Sequence, residues 1–160
     1  MATASLARMR NWLGLSAIVI ALDLYTKHLV QAALVYGEHH ALTSFFDLVL
    51  FHNEGAAFSL LSGAGGWQRI FFSVFALAAS GIIVHLLRKH QGQRLFCLAL
   101  SLVLGGALGN LYDRLTLGYV VDFLFFHYQS WYWPAFNVAD SAITVGVTLL
   151  LWDSFKTPRT

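Results

Sequence analysis

The sequence has little charge, a single cysteine and none of the common hydrolytic signatures. Asp, Glu, Lys and Arg make up 11% of its 160 residues, where a soluble domain carries about 25%. Hydrophobic residues account for 58%. A water-soluble domain this small has too high a surface-to-volume ratio to hide that much apolar surface, and a disordered chain is poor in the same residues. The net charge of +2, with no basic run interleaved with aromatics, excludes a nucleic-acid surface. One cysteine, Cys97, rules out an internal disulfide framework and a cysteine-based metal cluster; in its apolar stretch it reads as a small core residue. There is no H-E-x-x-H zinc motif. His28, His39 and His40 lack helical metal spacing, and Ser62-Gly63 belongs to no G-x-S-x-G elbow. No metal or other cofactor is therefore expected. Nor are there repeats, low-complexity tracts or linkers. What remains is an integral membrane protein, residues 1–160 forming one domain.

Four stretches approach the roughly 20 apolar residues that a membrane helix needs: 12–30, 67–87, 95–111 and 136–152. Arg8 and Arg10 before an apolar run resemble a secretory signal. However, Asp23 and Lys27 follow that run where a small-residue cleavage site would stand, so it reads as a retained signal-anchor helix. With the N-terminus inside, the inner segments hold Arg8, Arg10, Arg88, Lys89, Arg94, Lys156 and Arg159, and the outer side holds Lys27, Arg69 and Arg114. That asymmetry satisfies the positive-inside rule and leaves both termini cytoplasmic. All the acids except Asp153 fall at or near the outer face, which places the chemistry there. Trp12 and Trp152 mark the inner interface; Trp67, Trp131 and Trp133 mark the outer one.

Outside the spans, residues 45–53 alternate, with Phe45, Asp47, Val49, Phe51 and Asn53 on one side and Phe46, Leu48, Leu50 and His52 on the other. This is strand periodicity, closed by a turn at Glu54-Gly55. The stretch from 112 to 134 has few helix signals and many aromatics, as expected of a loop dipping into the membrane interface. The fold expected is mainly α: a four-transmembrane-helix bundle with a small extracytoplasmic β-sheet.

An ionisable side chain near the bilayer centre costs at least about 2.5–3.5 kcal/mol, so those that persist tend to line a cavity or do chemistry. Asp23 and Lys27, four apart, lie on one helix face and either neutralise each other or belong to a site. Gly105 and Gly109 form a small-xxx-small pattern suited to close helix packing. Asn110 and Arg114 then continue the line of Gly106, so that face turns polar near the membrane surface. The Arg114 guanidinium has the donor fork that orients carboxylates. Asn137 and Asp140, three apart, open the last span. Asn137 is either part of a site or an N-cap, while Asp140 reads as too far into the helix for capping and so faces the bundle. Asp122 and Asp140 then form a pair of carboxyls at one membrane face. Two such groups in hydrogen-bond reach share one proton. The charged member activates a water, and the protonated one donates to the carbonyl under attack. A proton-coupled transporter would instead place its acids near the midplane in repeated halves, and neither is present. In a structural or partner-binding membrane subunit the acids would be incidental.

Five segments together resemble bacterial lipoprotein signal peptidase (signal peptidase II), an aspartic peptidase family: Asp23-Leu-Tyr-Thr-Lys27, Asn53-Glu-Gly-Ala-Ala-Phe-Ser59, Gly105-Gly-Ala-Leu-Gly-Asn-Leu-Tyr-Asp-Arg114, Gly118-Tyr-Val-Val-Asp-Phe123 and Phe136-Asn-Val-Ala-Asp140. They run in the family's order from the first span to the last. The resemblance implies an enzyme of the bacterial cytoplasmic (inner) membrane with its active site at the extracytoplasmic face. It implies removal of signal peptides from prolipoproteins, on the amino side of a cysteine carrying diacylglycerol. Asp122 and Asp140 match the catalytic dyad. Asp23, Lys27, Asn53, Gly55, Asn110, Arg114 and Asn137 match positions that bind substrate or support the dyad. The resemblance also implies a short extracytoplasmic helix around 55–65, membrane lipid as surroundings, and inhibition by globomycin-type antibiotics. It implies no metal and no particular oligomer.

Overall fold

The computed structural model describes residues 2–55 and 66–156. Four helices account for most of them: α1 (Ala2–Ala33), α2 (Trp67–Lys89), α3 (Arg94–Thr116) and α4 (Val138–Lys156). Each is long and apolar enough to cross a membrane; even the 19 residues of α4 reach about 28 Å at 1.5 Å per residue, close to the hydrocarbon thickness. The apolar faces point outward. On α2 alone Ile70, Phe71, Val74, Phe75, Leu77 and Ile82 are exposed, an arrangement that water would not tolerate and lipid tails satisfy.

The helix α3 is the central element, packing against α4, α1 and α2. Its glycines make this possible. A Cβ on Gly109 would come within 2.7 Å of Asp23 Oδ2, and one on Gly106 would collide with the Ala139 carbonyl oxygen. Small residues let backbones approach where lipid provides no hydrophobic drive. At the end of the bundle away from the sheet, Ile83, Leu87, Phe96, Cys97, Leu100 and Leu104 form a closed apolar cluster.

A four-stranded antiparallel sheet caps the other end in the order β1 (His39–Ala41), β2 (Phe46–Asn53), β3 (Val120–Tyr128) and β4 (Trp131–Tyr132). Val30 of α1 with Leu50, Val121 and Phe123 of the sheet makes a second apolar cluster, which ties the two layers together. Gly118, at a φ of 92°, takes the left-handed conformation that reverses the chain between α3 and β3, where a side chain would be strained.

Three expectations change. The helix α3 runs past 111 to Thr116, so Asn110, Asp113 and Arg114 are helical, and the segment taken for an aromatic loop contains the strand β3. The helix α4 begins at Val138 rather than 136. Residues 46–53 do form a strand, but its alternation is broken. The β2–β3 register passes from Leu48↔Leu124 to Phe51↔Asp122, so β2 carries one extra residue, a β-bulge. Asp47 and Asn53, expected on one side, therefore lie on opposite faces of the sheet. The helix expected around 55–65 lies outside the described residues except at Gly55.

Candidate active site

The polar residues around the two carboxyls come from β2, β3, α3 and the start of α4. The bulge in β2 turns Asn53 toward β3, where its Nδ2 donates to Asp122 Oδ2 at 2.9 Å. Just before α4 the chain pairs with β3: Phe136 and Leu124 exchange backbone hydrogen bonds at 2.8 and 3.1 Å. That pairing sets Asn137 beside Asp122, and Asn137 Nδ2 donates to Asp122 Oδ1 at 2.8 Å. Both oxygens of Asp122 thus accept from an amide. From α3, Asn110 Nδ2 donates to Asp140 Oδ1 at 2.8 Å.

Asp140 also contradicts its sequence reading. Because α4 starts at Val138, Asn137 is the N-cap and Asp140 the third helical residue. Asp140 N–H donates to Asn137 Oδ1 at 2.9 Å, and Asp140 Oδ2 accepts from Asn137 N–H at 3.3 Å. This is a reciprocal capping box. Asp140 is therefore not too deep to cap; it caps with one oxygen and meets Asn110 with the other. Asn137, read as either cap or site residue, is placed to be both, and it touches both carboxyl groups.

The amides have no freedom to turn round. Asn53 Oδ1 accepts from Gly55 N–H at 3.0 Å, Asn137 Oδ1 from Asp140 N–H, and Asn110 Oδ1 from Lys27 Nζ at 3.0 Å. With each oxygen occupied, each NH2 must face a carboxyl.

Asp122 is buried. Its carboxyl is pushed up to about 7, first by burial and then by the charge of Asp140, with the Asn53 and Asn137 hydrogen bonds and Lys27 partly offsetting both.

A cavity of about 480 Å³ opens on this cluster. Asn53, Gly55, Asn110, Arg114 and Asp140 line its polar end, while Ile143, Thr144 and Val145 carry it along α4 beside Val120, Trp133 and Phe136. Asp122 and Asn137 stand behind that wall. The Arg114 guanidinium lies over the Phe72 ring at 5.2 Å and reaches the Gly55 and Asn110 carbonyls at 3.4 Å; its Nε is buried with no hydrogen-bond partner among the described residues. Asp23 and Lys27 lie deeper still, paired at 2.7 Å.

Sequence reasoning counted one participant among the outer-face acids but gave it no role. Asp113, buried in α3, places Oδ2 2.9 Å from Lys27 Nζ. The available signal was its place three residues beyond Asn110, on the same helix face.

Two carboxyls meeting on Asn137, Asp122 buried and Asp140 half-buried at the cavity wall, with amide donors and a cavity leading into the apolar zone, suit an integral membrane peptidase of the aspartic type. Comparison with known proteins narrows this. The family model described as signal peptidase (SPase) II matches residues 15–156, and the chain belongs to that family. It is 52% identical over 152 residues to the lipoprotein signal peptidase of Janthinobacterium sp. (strain Marseille), covering 95% of this chain and 92% of that one. To the lipoprotein signal peptidase of Paraburkholderia phytofirmans it is 55% identical over 148 residues, covering 92% and 86%. Two solved structures, each described as a bacterial membrane enzyme determined by the in meso method, superpose with TM-scores of 0.81 and 0.79 at 28% and 29% identity. They cover 94% and 92% of this chain, and 93% and 94% of their own. The protein is a hydrolase with lipoprotein signal peptidase function.

Proposed function

We propose that Asp122 and Asp140 jointly activate a water that cleaves a diacylglyceryl-modified prolipoprotein on the amino side of its lipidated cysteine. The observation that carries this reading is the convergence of both carboxyls on Asn137, one of them opening into a cavity that is polar at the sheet and apolar along α4. The ionised member of the pair takes a proton from water, and the resulting hydroxide attacks the scissile carbonyl carbon. The protonated member donates to the carbonyl oxygen as the tetrahedral intermediate forms. The proton taken from water then passes to the amine nitrogen as the C–N bond breaks, and the intermediate's hydroxyl returns its proton to the second carboxylate as the carbonyl re-forms. Arg114, Asn53 and Asn110, with donors at the polar end, serve to hold the peptide backbone. The apolar run past Ile143 and Val145 suits the lipid chains, which stay among membrane lipids while the peptide meets the sheet in extended form.

In this reading the single domain sits in the bacterial inner membrane with both termini cytoplasmic and the site at the extracytoplasmic face. The charge asymmetry supports that orientation, and burial of Lys27 strengthens it, since one of the three outer cations is then not a loop charge. A globomycin-type inhibitor would occupy the same cavity.

The test uses purified full-length protein in detergent with matched precursor peptides. Cleavage of the diacylglyceryl form at the bond before the cysteine, blocked by globomycin and much slower without the lipid, is the expected result. Equal cleavage of lipidated and unlipidated peptides would remove the lipid from the recognition chemistry.

A further inference from the structure

Lys27 is one of the most deeply buried side chains in the molecule, 1% exposed, yet it does not line the cavity. Its ammonium has three partners: Asp23 Oδ2 at 2.7 Å, Asp113 Oδ2 at 2.9 Å and Asn110 Oδ1 at 3.0 Å. The other contacts of the two acids form a pattern. Asp23 Oδ1 accepts from the backbone N–H of Ala139 at 2.9 Å. Asp113 Oδ2 accepts from the backbone N–H of Val121 at 3.1 Å. Ala139 immediately precedes Asp140, and Val121 immediately precedes Asp122.

We infer that Asp23, Lys27 and Asp113 form a buried clamp that fixes the spacing of the two dyad carboxyls, gripping the peptide just ahead of each and joining the two grips through one ammonium. This rests on the dyad reading above. The three are positioning residues. The lysine has a second effect through Asn110: an ammonium only donates, so it holds the amide oxygen toward α1 and leaves the NH2 to face Asp140. One cation thus sets the backbone before both carboxyls and the hydrogen bond to one of them. A surface ion pair has no such reach. Here the groups are excluded from water, and each carboxylate also accepts from a backbone donor, the kind of added hydrogen bonding that makes a buried charge tolerable.

A bare Lys27→Met substitution leaves two buried acids facing each other and endangers folding, so the informative variant is Lys27→Met/Asp113→Asn. It keeps the net charge of the cluster and an acceptor for Val121 N–H, but removes the ammonium. The expected result is a protein that inserts and purifies normally, with kcat down about 10²-fold, the scale of a small misplacement of reacting groups, and KM within about threefold. Lys27 also lowers the Asp122 pKa, so the basic limb of the pH–rate profile moves to higher pH. A purely structural role would lower the yield of folded enzyme and leave both kcat per folded molecule and the pH profile unchanged; that outcome overturns the clamp. Should the double variant fail to fold, Lys27→Arg decides. It keeps the charge, so the pH limb stays in place, while kcat falls about tenfold because a planar fork does not fit an ammonium site; a wild-type kcat overturns the inference. Asp140→Asn in the same assay separates the two ideas. Cleavage by Asp140→Asn removes the dyad itself, whereas its inactivity beside a fully active clamp variant removes only the clamp.

Discussion

Replacing Asn137 by Ser and by Ala separates its two roles. In the native protein Asn137 Oδ1 caps α4 through Asp140 N–H at 2.9 Å, while Nδ2 donates to Asp122 Oδ1 at 2.8 Å. A serine hydroxyl retains the cap and is too short to restore the amide's reach; alanine loses both. Losing an N-cap costs about 1 kcal/mol, and losing a hydrogen bond to a charged group costs about 1.5–3 kcal/mol. Asn137→Ser is therefore destabilised by about 2 kcal/mol and Asn137→Ala by about 3, so that thermal unfolding in detergent ranks wild type above Ser and Ser above Ala. Activity follows a different order. Both variants lose the donor to Asp122, so both lose turnover by about 10²-fold. The sign of the pH effect follows from the same bond. The Asn137 donor favours the ionised carboxylate and holds Asp122 down at about 7; without it that pKa rises further, and the basic limb shifts upward in both variants. Equal melting of the Ser and Ala proteins would refute the capping box. A serine variant with wild-type turnover and an unmoved pH limb would refute the support given to the dyad.

Four further outcomes follow from the geometry. Gly106→Val places a branched side chain against the Ala139 carbonyl and Ile143, costing at least about 1–3 kcal/mol of overpacking, measured as a lowered unfolding temperature and less folded protein. Arg114→Lys keeps the charge but not the fork that reaches Gly55 and Asn110, and lowers turnover by roughly tenfold in the peptide-cleavage assay. On the opposite sheet face, Asp47 Oδ2 and Oδ1 lie 3.1 Å from His39 and His127 respectively. Burial raises the Asp47 pKa, but the two histidines outweigh it and hold the carboxyl below the usual carboxylate range. Its stabilising share is thus present above the unfolded pKa near 3.8 and fades as pH falls through the lower folded value; Asp47→Ala loses about 1 kcal/mol at neutral pH and flattens the acid end of the stability profile. For orientation, cysteines placed at the exposed Ser130 and Gly92 report opposite sides, with Cys97 buried and silent. Labelling from outside at 130 alone is expected, and labelling at 92 alone would invert the proposed topology.

The four helices were legible because hydrophobic length alone specifies a membrane span, and β2 was legible from its period of two. Their ends were not. Hydropathy falls off at Asn110, but the backbone stays helical through Arg114 because each polar side chain there finds a partner on α1, α4 or the turn after β2. The strand β3 has almost no alternation, Val120 through Phe123 being buried on both faces, so its short apolar run carried no strand period. A bulge leaves no mark on a hydrophobicity pattern, which is why Asp47 and Asn53 were assigned to one side. The i, i+4 spacing made Asp23 and Lys27 neighbours. It held no information about a second acid arriving from α3, and Asp113 became a partner only when α1 and α3 closed over Gly109.

The most direct measurement is the single-turnover rate of signal-peptide release from a diacylglyceryl precursor by purified Asp122→Asn and Asp140→Asn proteins, each confirmed as folded. Two carboxyls sharing one proton predict that neither variant releases product above the uncatalysed level, because an amide can neither take a proton from water nor hold the one the carbonyl needs. Near-native release by either protein would contradict the account.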